Sequence, residues 1–286
     1  MTSVVLENLS HVYNPGSVFE KAALQSVSLE IGAGEMVAII GHTGSGKSTL
    51  IQHLNGLLGP TSGRVLLDGQ DIHADKSMLG SVRQRVGLVF QYPEHQLFES
   101  TIYKDVAYGP TRMGLSESEV GERVRQSLDV VGIDTSLYEK SPFEVSGGQK
   151  RRVAIAGVLA MGPEVLVLDE PAAGLDPAGK DEIFAQVRRM HDALGMTVVL
   201  VSHSMEDVAS LAGRIFVMSQ GQLLCEGTPA QVFAKGDMLK SVGLDVPQIS
   251  QVFAALNKEN PQIPAGVFTV PDAARILMDI YKGRES

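Results

Sequence analysis

Glycines interleaved with hydroxyl side chains and closed by a lysine make up the stretch Gly41, His42, Thr43, Gly44, Ser45, Gly46, Lys47, Ser48 and Thr49. Glycine lets successive backbone N–H groups turn inward, which suits a ligand rich in anionic oxygens. Lys47 would reach the β- and γ-phosphates of a nucleotide as a mobile point charge, and the Ser48 hydroxyl would hold Mg²⁺. Gly41, Gly46, Lys47 and Ser48 fit the P-loop pattern, which carries meaning only between a strand and a helix. That context is present: the apolar run Met36 to Ile40 precedes the loop and an amphipathic segment, Leu50 to Leu58, follows it. A glycine-rich turn that binds nothing would not require both.

Two further groups have types and positions suited to phosphate chemistry. Asp169 and Glu170 directly follow the apolar run Val165 to Leu168. A carboxylate at the C-terminal end of a buried strand can take a Mg²⁺ water, and its neighbour can orient or deprotonate an attacking water. His203 ends another apolar run, Thr197 to Val201, where a γ-phosphate contact is within reach. Ser146, Gly147, Gly148 and Gln149 open a strongly periodic segment through Met161, so their amides sit at a helix N-terminus, a second anion site. One nucleotide does not need two such termini, but a nucleotide held by another subunit would use the second. Tyr13 is free to stack on adenine, with Phe19 a competitor.

The elements that must position these groups read as an α/β chain. Val4 to Leu9 and Leu24 to Ile31 form an antiparallel β lobe, separated by the loop Asn14-Pro-Gly-Ser17. Arg64 to Leu67 and Val86 to Phe90 add strands around a turn and a short helix. From Thr101 to about Leu137 the period is helical, with a capping box at Ser116 and Glu119. Asp176 and Pro177 start a helix to Leu194. Arg214 to Ser219 and Gln222 to Gly227 form a hairpin, and Thr228, Pro229 and Gln231 start a short helix. Ile249 to Leu256 and Ala273 to Tyr281 are helical, and their apolar stripes need cover, from their own domain or from the matching tail of a second subunit.

Composition narrows the function classes. A chain of 286 residues with 44% hydrophobic and 20% charged residues has an ordinary globular balance. No apolar run reaches the length of a membrane span, and Met1 to Leu9 has no basic leader region, so a membrane role is expected to come through a partner. A formal net charge of −9 disfavours broad electrostatic binding to nucleic acid. Cys225, the single cysteine, removes any intrachain disulfide and reads as a small buried side chain in a strand.

Taken in order, these pieces resemble an ABC-type ATPase subunit from Val4 to about Phe233. The resemblance rests on Gly41 to Thr49 as Walker A, Gln91 as the Q-loop glutamine and Ser146 to Gln149 as the signature. Val165 to Glu170 matches Walker B, Ala173 to Asp176 the D-loop and His203 the switch histidine. Val145 departs from the family's usual Leu before the signature, a change expected to alter packing more than phosphate contacts. The loop Gln91-Tyr-Pro-Glu-His-Gln-Leu-Phe98, the Pro-Gly-Ser loop after Tyr13, the segment Arg151 to Gly157 and the C-terminal tail look like the ATPases of energy-coupling factor (ECF) transporters. These importers take up vitamins and transition-metal ions. His42 and Ala172-Ala173 favour the second of two paralogous ATPases.

The resemblance implies a P-loop NTPase core with an antiparallel β lobe and a helical subdomain at about residues 95–160, the ATPase domain spanning 1–235. Residues 236–286 would form a helical extension used in dimerisation. It implies ATP sandwiched head to tail between Lys47 of one subunit and the signature of another, preferably a paralogue. Glu170 would be the general base, Asp169 and Gln91 would organise Mg²⁺ and water, and His203 would contact the γ-phosphate. A transmembrane coupling subunit, contacted through Leu97 and Phe98, and a substrate-binding membrane subunit complete the expected complex on the cytoplasmic face of the cell membrane. The alternatives are another ABC importer class, a soluble ABC ATPase acting on DNA or ribosomes, and a P-loop kinase. The chain lacks the long coiled coil and the second cassette usual in the soluble types, and a kinase would not need Ser146 to Gln149.

Overall fold

The computed structural model describes residues 3–282; residues 1, 2 and 283–286, the outer ends of the two expected segments, lie outside it. The chain runs β1 (Val4–Tyr13), β2 (Lys21–Ile31), β3 (Met36–Ile40), α1 (Lys47–Leu54), β4 (Ser62–Leu67), β5 (Gln70–Asp71), α2 (Leu79–Arg85) and β6 (Val86–Val89). It continues through α3 (Ile102–Arg112), α4 (Glu117–Val130), α5 (Gly147–Leu159), β7 (Val165–Asp169), α6 (Pro177–Leu194), β8 (Thr197–Val201) and α7 (Met205–Leu211). After β9 (Arg214–Ser219) and β10 (Gln222–Gly227) come α8 (Pro229–Phe233), α9 (Gly236–Ser241), α10 (Gln248–Glu259) and α11 (Val270–Lys282).

The strands form two sheets. An antiparallel sheet has the order β2-β1-β4-β5, and a second has the order β10-β9-β3-β8-β7-β6, parallel except for the β9–β10 hairpin. β3, β6, β7 and β8 are buried along nearly their whole length, as parallel strands covered on both faces must be. Their side chains still divide by the two-residue period: Val165 and Val167 join the cluster beneath the antiparallel sheet, whereas Leu166 and Leu168 face the helices. That helical side is built from α3, α4, α5 and α6 around Val106, Val124, Leu128, Val153 and Val187.

This topology positions the site. Because β3, β6, β7 and β8 are parallel, their C-terminal ends open on one edge, with Asp169 opposite Val201 and Val201 opposite Ile39. The P-loop, Gln91, Glu170 and His203 all follow those ends, and Asp169 is the last residue of β7.

Several expectations change. β1 continues to Tyr13, which pairs with Lys21, so Tyr13 ends a strand rather than entering a loop. Leu97 and Phe98 do not project together: Leu97 is buried in the helical core, while Phe98 is 60% exposed and edge-on to Tyr108 at 5.0 Å. Cys225 is half-buried rather than buried, because β10 is the sheet's edge. In the tail, Ile249, Phe253, Leu256, Ile276 and Ile280 pack on one another with Ile263 and Val267, which covers most of both stripes within the chain. Val252, Leu277, Met278 and Tyr281 stay exposed. No helix among the described residues is long and apolar enough to cross a membrane.

Candidate nucleotide site

The loop after β3 can be made only with glycine at its tight points. A Cβ on Gly41 would lie 2.4 Å from both the Met218 carbonyl and Ser45 Oγ. Gly46, at φ 102°, would drive one to 2.7 Å from the Ala23 carbonyl. Gly46 is also the N-cap of α1 and supplies no capping side chain, so the first amides of that helix remain available to an anion. Lys47 Nζ donates to the carbonyls of Gly41 (2.6 Å) and His42 (3.1 Å). Burial lowers the Lys47 pKa, against the pull of Glu170 and Asp169. Ser45 is the one loop residue off the cleft wall: it is fully buried, and its N–H donates to the His42 carbonyl.

Across from Lys47, burial and then the adjacent Glu170 charge push the Asp169 carboxyl up to about 6, while Lys47 and a hydrogen bond from Ser48 oppose the shift. Glu170 takes a left-handed φ of 51° and donates its N–H to the Val201 carbonyl at 3.0 Å. A non-glycine residue held there is strained, and such strain persists where the surroundings over-determine it. The turn brings Glu170 Oε2 within 2.8 Å of His203 Nδ1; the carboxylate side chain is 16% exposed and the imidazole 75%.

These groups line one cleft of about 1080 Å³. Its wall includes Tyr13, Gly41, His42, Thr43, Gly44, Gly46, Lys47, Ser48, Thr49, Gln91, Asp169, Glu170 and His203. Tyr13 Oη lies 3.2 Å from Thr49 Oγ1, whereas Phe19 is 78% exposed and off the cleft wall. Ser146, Gly147, Gly148 and Gln149 lie outside the cleft. There Ser146 Oγ accepts from the Gln149 N–H (3.2 Å) and Gln149 Oε1 accepts from the Ser146 N–H (2.9 Å), a closed capping box at the start of α5.

Residues 24–173 match the family described as ABC transporter. The chain is 53% identical over 281 residues to the energy-coupling factor transporter ATP-binding protein EcfA2 of Clostridium perfringens, covering 98% of this chain and 99% of that protein. The chain belongs to the ABC transporter family, in its energy-coupling factor branch. Solved structures agree. The cbiO1 protein of C. perfringens, described as part of the ABC transporter complex cbiONQ, superposes with a TM-score of 0.75 at 40% identity, over 87% of this chain and 97% of that one. A dimeric ATP-binding cassette in a post-hydrolysis state, bound to ADP and Pi, matches with a TM-score of 0.70 at 30% identity, over 79% and 98%.

The structure also places residues that sequence reasoning on this ABC protein passed over. His11 is edge-on to Tyr13 at 4.5 Å, and its Nδ1 is 3.1 Å from the Gly59 carbonyl and 3.2 Å from His53 Nε2. His53 Nδ1 reaches the Thr49 carbonyl at 2.7 Å, and burial lowers the His53 pKa. The signal was present: His11 shares a strand face with Tyr13, and His53 sits one helical turn beyond Thr49. Gly243 to Val246 and Gln248, at the start of the tail, also border the cleft, and the Gln248 N–H donates to Glu206 at 3.1 Å. No periodicity marks that loop.

Proposed function

We infer that the chain is the ATP-hydrolysing subunit that powers an energy-coupling factor importer. The observation that carries this reading is the cleft itself, in which Lys47, Ser48, Asp169, Glu170 and His203 converge on one edge while the signature residues stand apart. The residues fit a magnesium nucleotide: the glycine loop lines a cavity, the helix after it starts without a capping side chain, and Ser48 and Asp169 are hard oxygen donors beside an ammonium. Mg²⁺, held by Ser48 and Asp169 with Gln91 nearby, would neutralise phosphate charge.

The chain's own groups do the rest. Tyr13 stacks on the adenine, and Gly41 to Thr49 with Lys47 hold the phosphates. Glu170 accepts the proton of a water whose oxygen attacks the γ-phosphorus as the bond to the β-phosphate oxygen breaks. His203, bonded to Glu170, fixes the carboxylate and reaches the γ-phosphate. A second, paralogous ATPase packs head to tail and applies its own signature to this nucleotide, while Ser146 to Gln149 serve the partner's. Residues 1–235, with the helical subdomain at about 95–160, act as the ATPase unit, and 236–286 join the two ATPases. Phe98 and its surroundings dock on a transmembrane coupling subunit, which with a substrate-binding membrane subunit holds the chain at the cytoplasmic face as a peripheral protein.

Glu170→Gln tests the core of this reading, because the carboxamide keeps the shape and loses the basicity. ATP binding is expected to persist while turnover falls at least 100-fold. Turnover near the wild-type rate would remove Glu170 as the base. Copurification with membrane subunits from native cells tests the assembly.

A further inference from the structure

Arg151, on the second turn of α5, is 2% exposed, and the motif that contains it has no part in the site described above. A guanidinium this deep must be paired and hydrogen-bonded, or its desolvation would not be offset. Its partners come from two other parts of the chain. Nε and Nη2 donate to Glu94 Oε2 (3.0 Å) and Oε1 (2.7 Å), a bidentate fork. Nη1 donates to the carbonyls of Pro171 (3.1 Å) and Ala173 (2.7 Å), and the guanidinium lies 5.8 Å from the centroid of the Tyr92 ring.

Each partner borders a different part of the machinery. Glu94 sits in the short 3-10 turn Pro93–Gln96, between Gln91 and Phe98, and Tyr92 before it is held at a left-handed φ of 55°. Pro171 follows Glu170 directly and Ala173 lies in the same turn, and Tyr92 closes over this turn, since a Cβ on Gly174 would stand 3.5 Å from its ring. Arg151 itself rides on the helix whose first residues are the signature. One side chain thus clamps the loop behind Gln91 and the turn behind Glu170 to α5. Burial works to raise the Glu94 pKa, but the Arg151 fork leaves it below the ordinary value, so the Glu94 carboxylate is ionised near neutral pH.

We propose that Arg151 is a positioning residue for hydrolysis, fixing Glu170 and Gln91 relative to the signature helix so that docking at the Phe98 loop and closure on a partner's nucleotide move as one event. This rests on the ATPase reading above.

The test uses the full chain assembled with its partner subunits. ATP turnover is measured against ATP concentration, and thermal stability in parallel, for Arg151→Met, Arg151→Lys, Glu94→Gln and the double variant Arg151→Met/Glu94→Gln. Arg151→Met is expected to lower kcat at least tenfold with the KM for ATP within about twofold, since no group that would bind ATP touches Arg151. Arg151→Lys should fall between, because one ammonium cannot span the carboxylate and both carbonyls. The double variant removes the stranded Glu94 charge, so it should regain thermal stability but not kcat. Recovery of kcat together with stability would reduce Arg151 to a packing role and overturn the proposal. So would an unchanged kcat in Arg151→Met, or, if that variant does not fold, in Arg151→Lys. A wild-type assembly that hydrolyses no ATP would instead sink the functional reading.

Discussion

The start of α1 and the start of α5 are built from similar residues and are finished differently. Both are glycine-flanked helix N-termini with hydroxyl side chains close by. At α1 the N-cap is Gly46, which offers no side chain, and the surroundings are Lys47, Asp169, Glu170 and His203 in a walled cleft. At α5 Ser146 and Gln149 cap each other, and a Cβ at Gly147 or Gly148 would meet nothing within 4 Å. One terminus is left open to a ligand that its own chain surrounds. The other is complete as local structure and bare on its outer side, as expected of a surface whose ligand arrives on another molecule. The difference argues for a composite site, with the pre-organised half carrying the chemistry and the bare half supplying amides at closure.

The largest effect that would break this comparison comes from Gly148→Asp. A carboxylate in the first turn favours α5 through the helix dipole, and the space around Gly148 is open, so the fold should tolerate it. The same charge repels a phosphate presented by a partner. Turnover in the assembled enzyme should fall at least 100-fold, while ATP titrated into the isolated chain binds as in wild type. Weakened binding in the isolated chain would mean that α5 serves its own nucleotide. The converse change, Lys47→Ala, removes a charge-assisted contact of about 1.5–3 kcal/mol. It should weaken ATP binding by the isolated chain by a factor of about 10 to 150 in an equilibrium titration; unchanged affinity would break the assignment of the pre-organised half.

A third effect is smaller and of opposite sign. Asp169 is pushed from 3.8 up to about 6 in the folded chain, so the ionised form is disfavoured there relative to the unfolded chain. The unfolded chain releases its proton first. Nucleotide-free stability is therefore greatest below pH 4 as far as this group is concerned, and it declines as the pH rises to about 6. At about 1.4 kcal/mol per pKa unit, the loss at pH 7 has an upper bound of about 3 kcal/mol, reduced by solvent screening. Asp169→Asn should raise the nucleotide-free Tm at pH 7, measured by calorimetry, and leave it little changed at pH 4. A lower Tm at pH 7 would show that the Ser48 and Lys47 contacts outweigh the desolvation.

Much of this contrast was legible in the sequence. The P-loop, the carboxylate pair and His203 each follow a short apolar run, and that pattern placed them at strand ends without any knowledge of sheet order. The capping boxes at Ser116 and Thr228 and the Asp176-Pro177 helix start have local signals of a few residues, and the structure repeats them. What escaped depended on distant contacts. Leu97 and Phe98 are neighbours of similar hydrophobicity, and only packing into the helical core decides that one is buried. The left-handed turn at Glu170 is invisible because the residue is not glycine. Arg151 reads only as the first residue of the segment Arg151 to Gly157 until the fold brings Glu94 and two carbonyls to it.

The smallest effect sharpens the comparison at the level of the caps. In Ser146→Ala the side chain that accepts the Gln149 N–H is lost, and with it the reciprocal box. Loss of a serine cap typically costs about 1 kcal/mol. Because α5 is also held by Val153, Ile155 and Ala156 in the core, that cost should appear as a Tm lowered by a few degrees, without loss of the helix. α1 has no side-chain cap to lose, so its first turn should gain order from nucleotide instead. Hydrogen exchange on the isolated chain would then show ATP protecting the amides of Lys47 to Thr49 while those of Gly147 to Gln149 exchange as before. Protection at both termini in a monomeric chain would mean that one nucleotide reaches both, and the division of the site between two chains would fall.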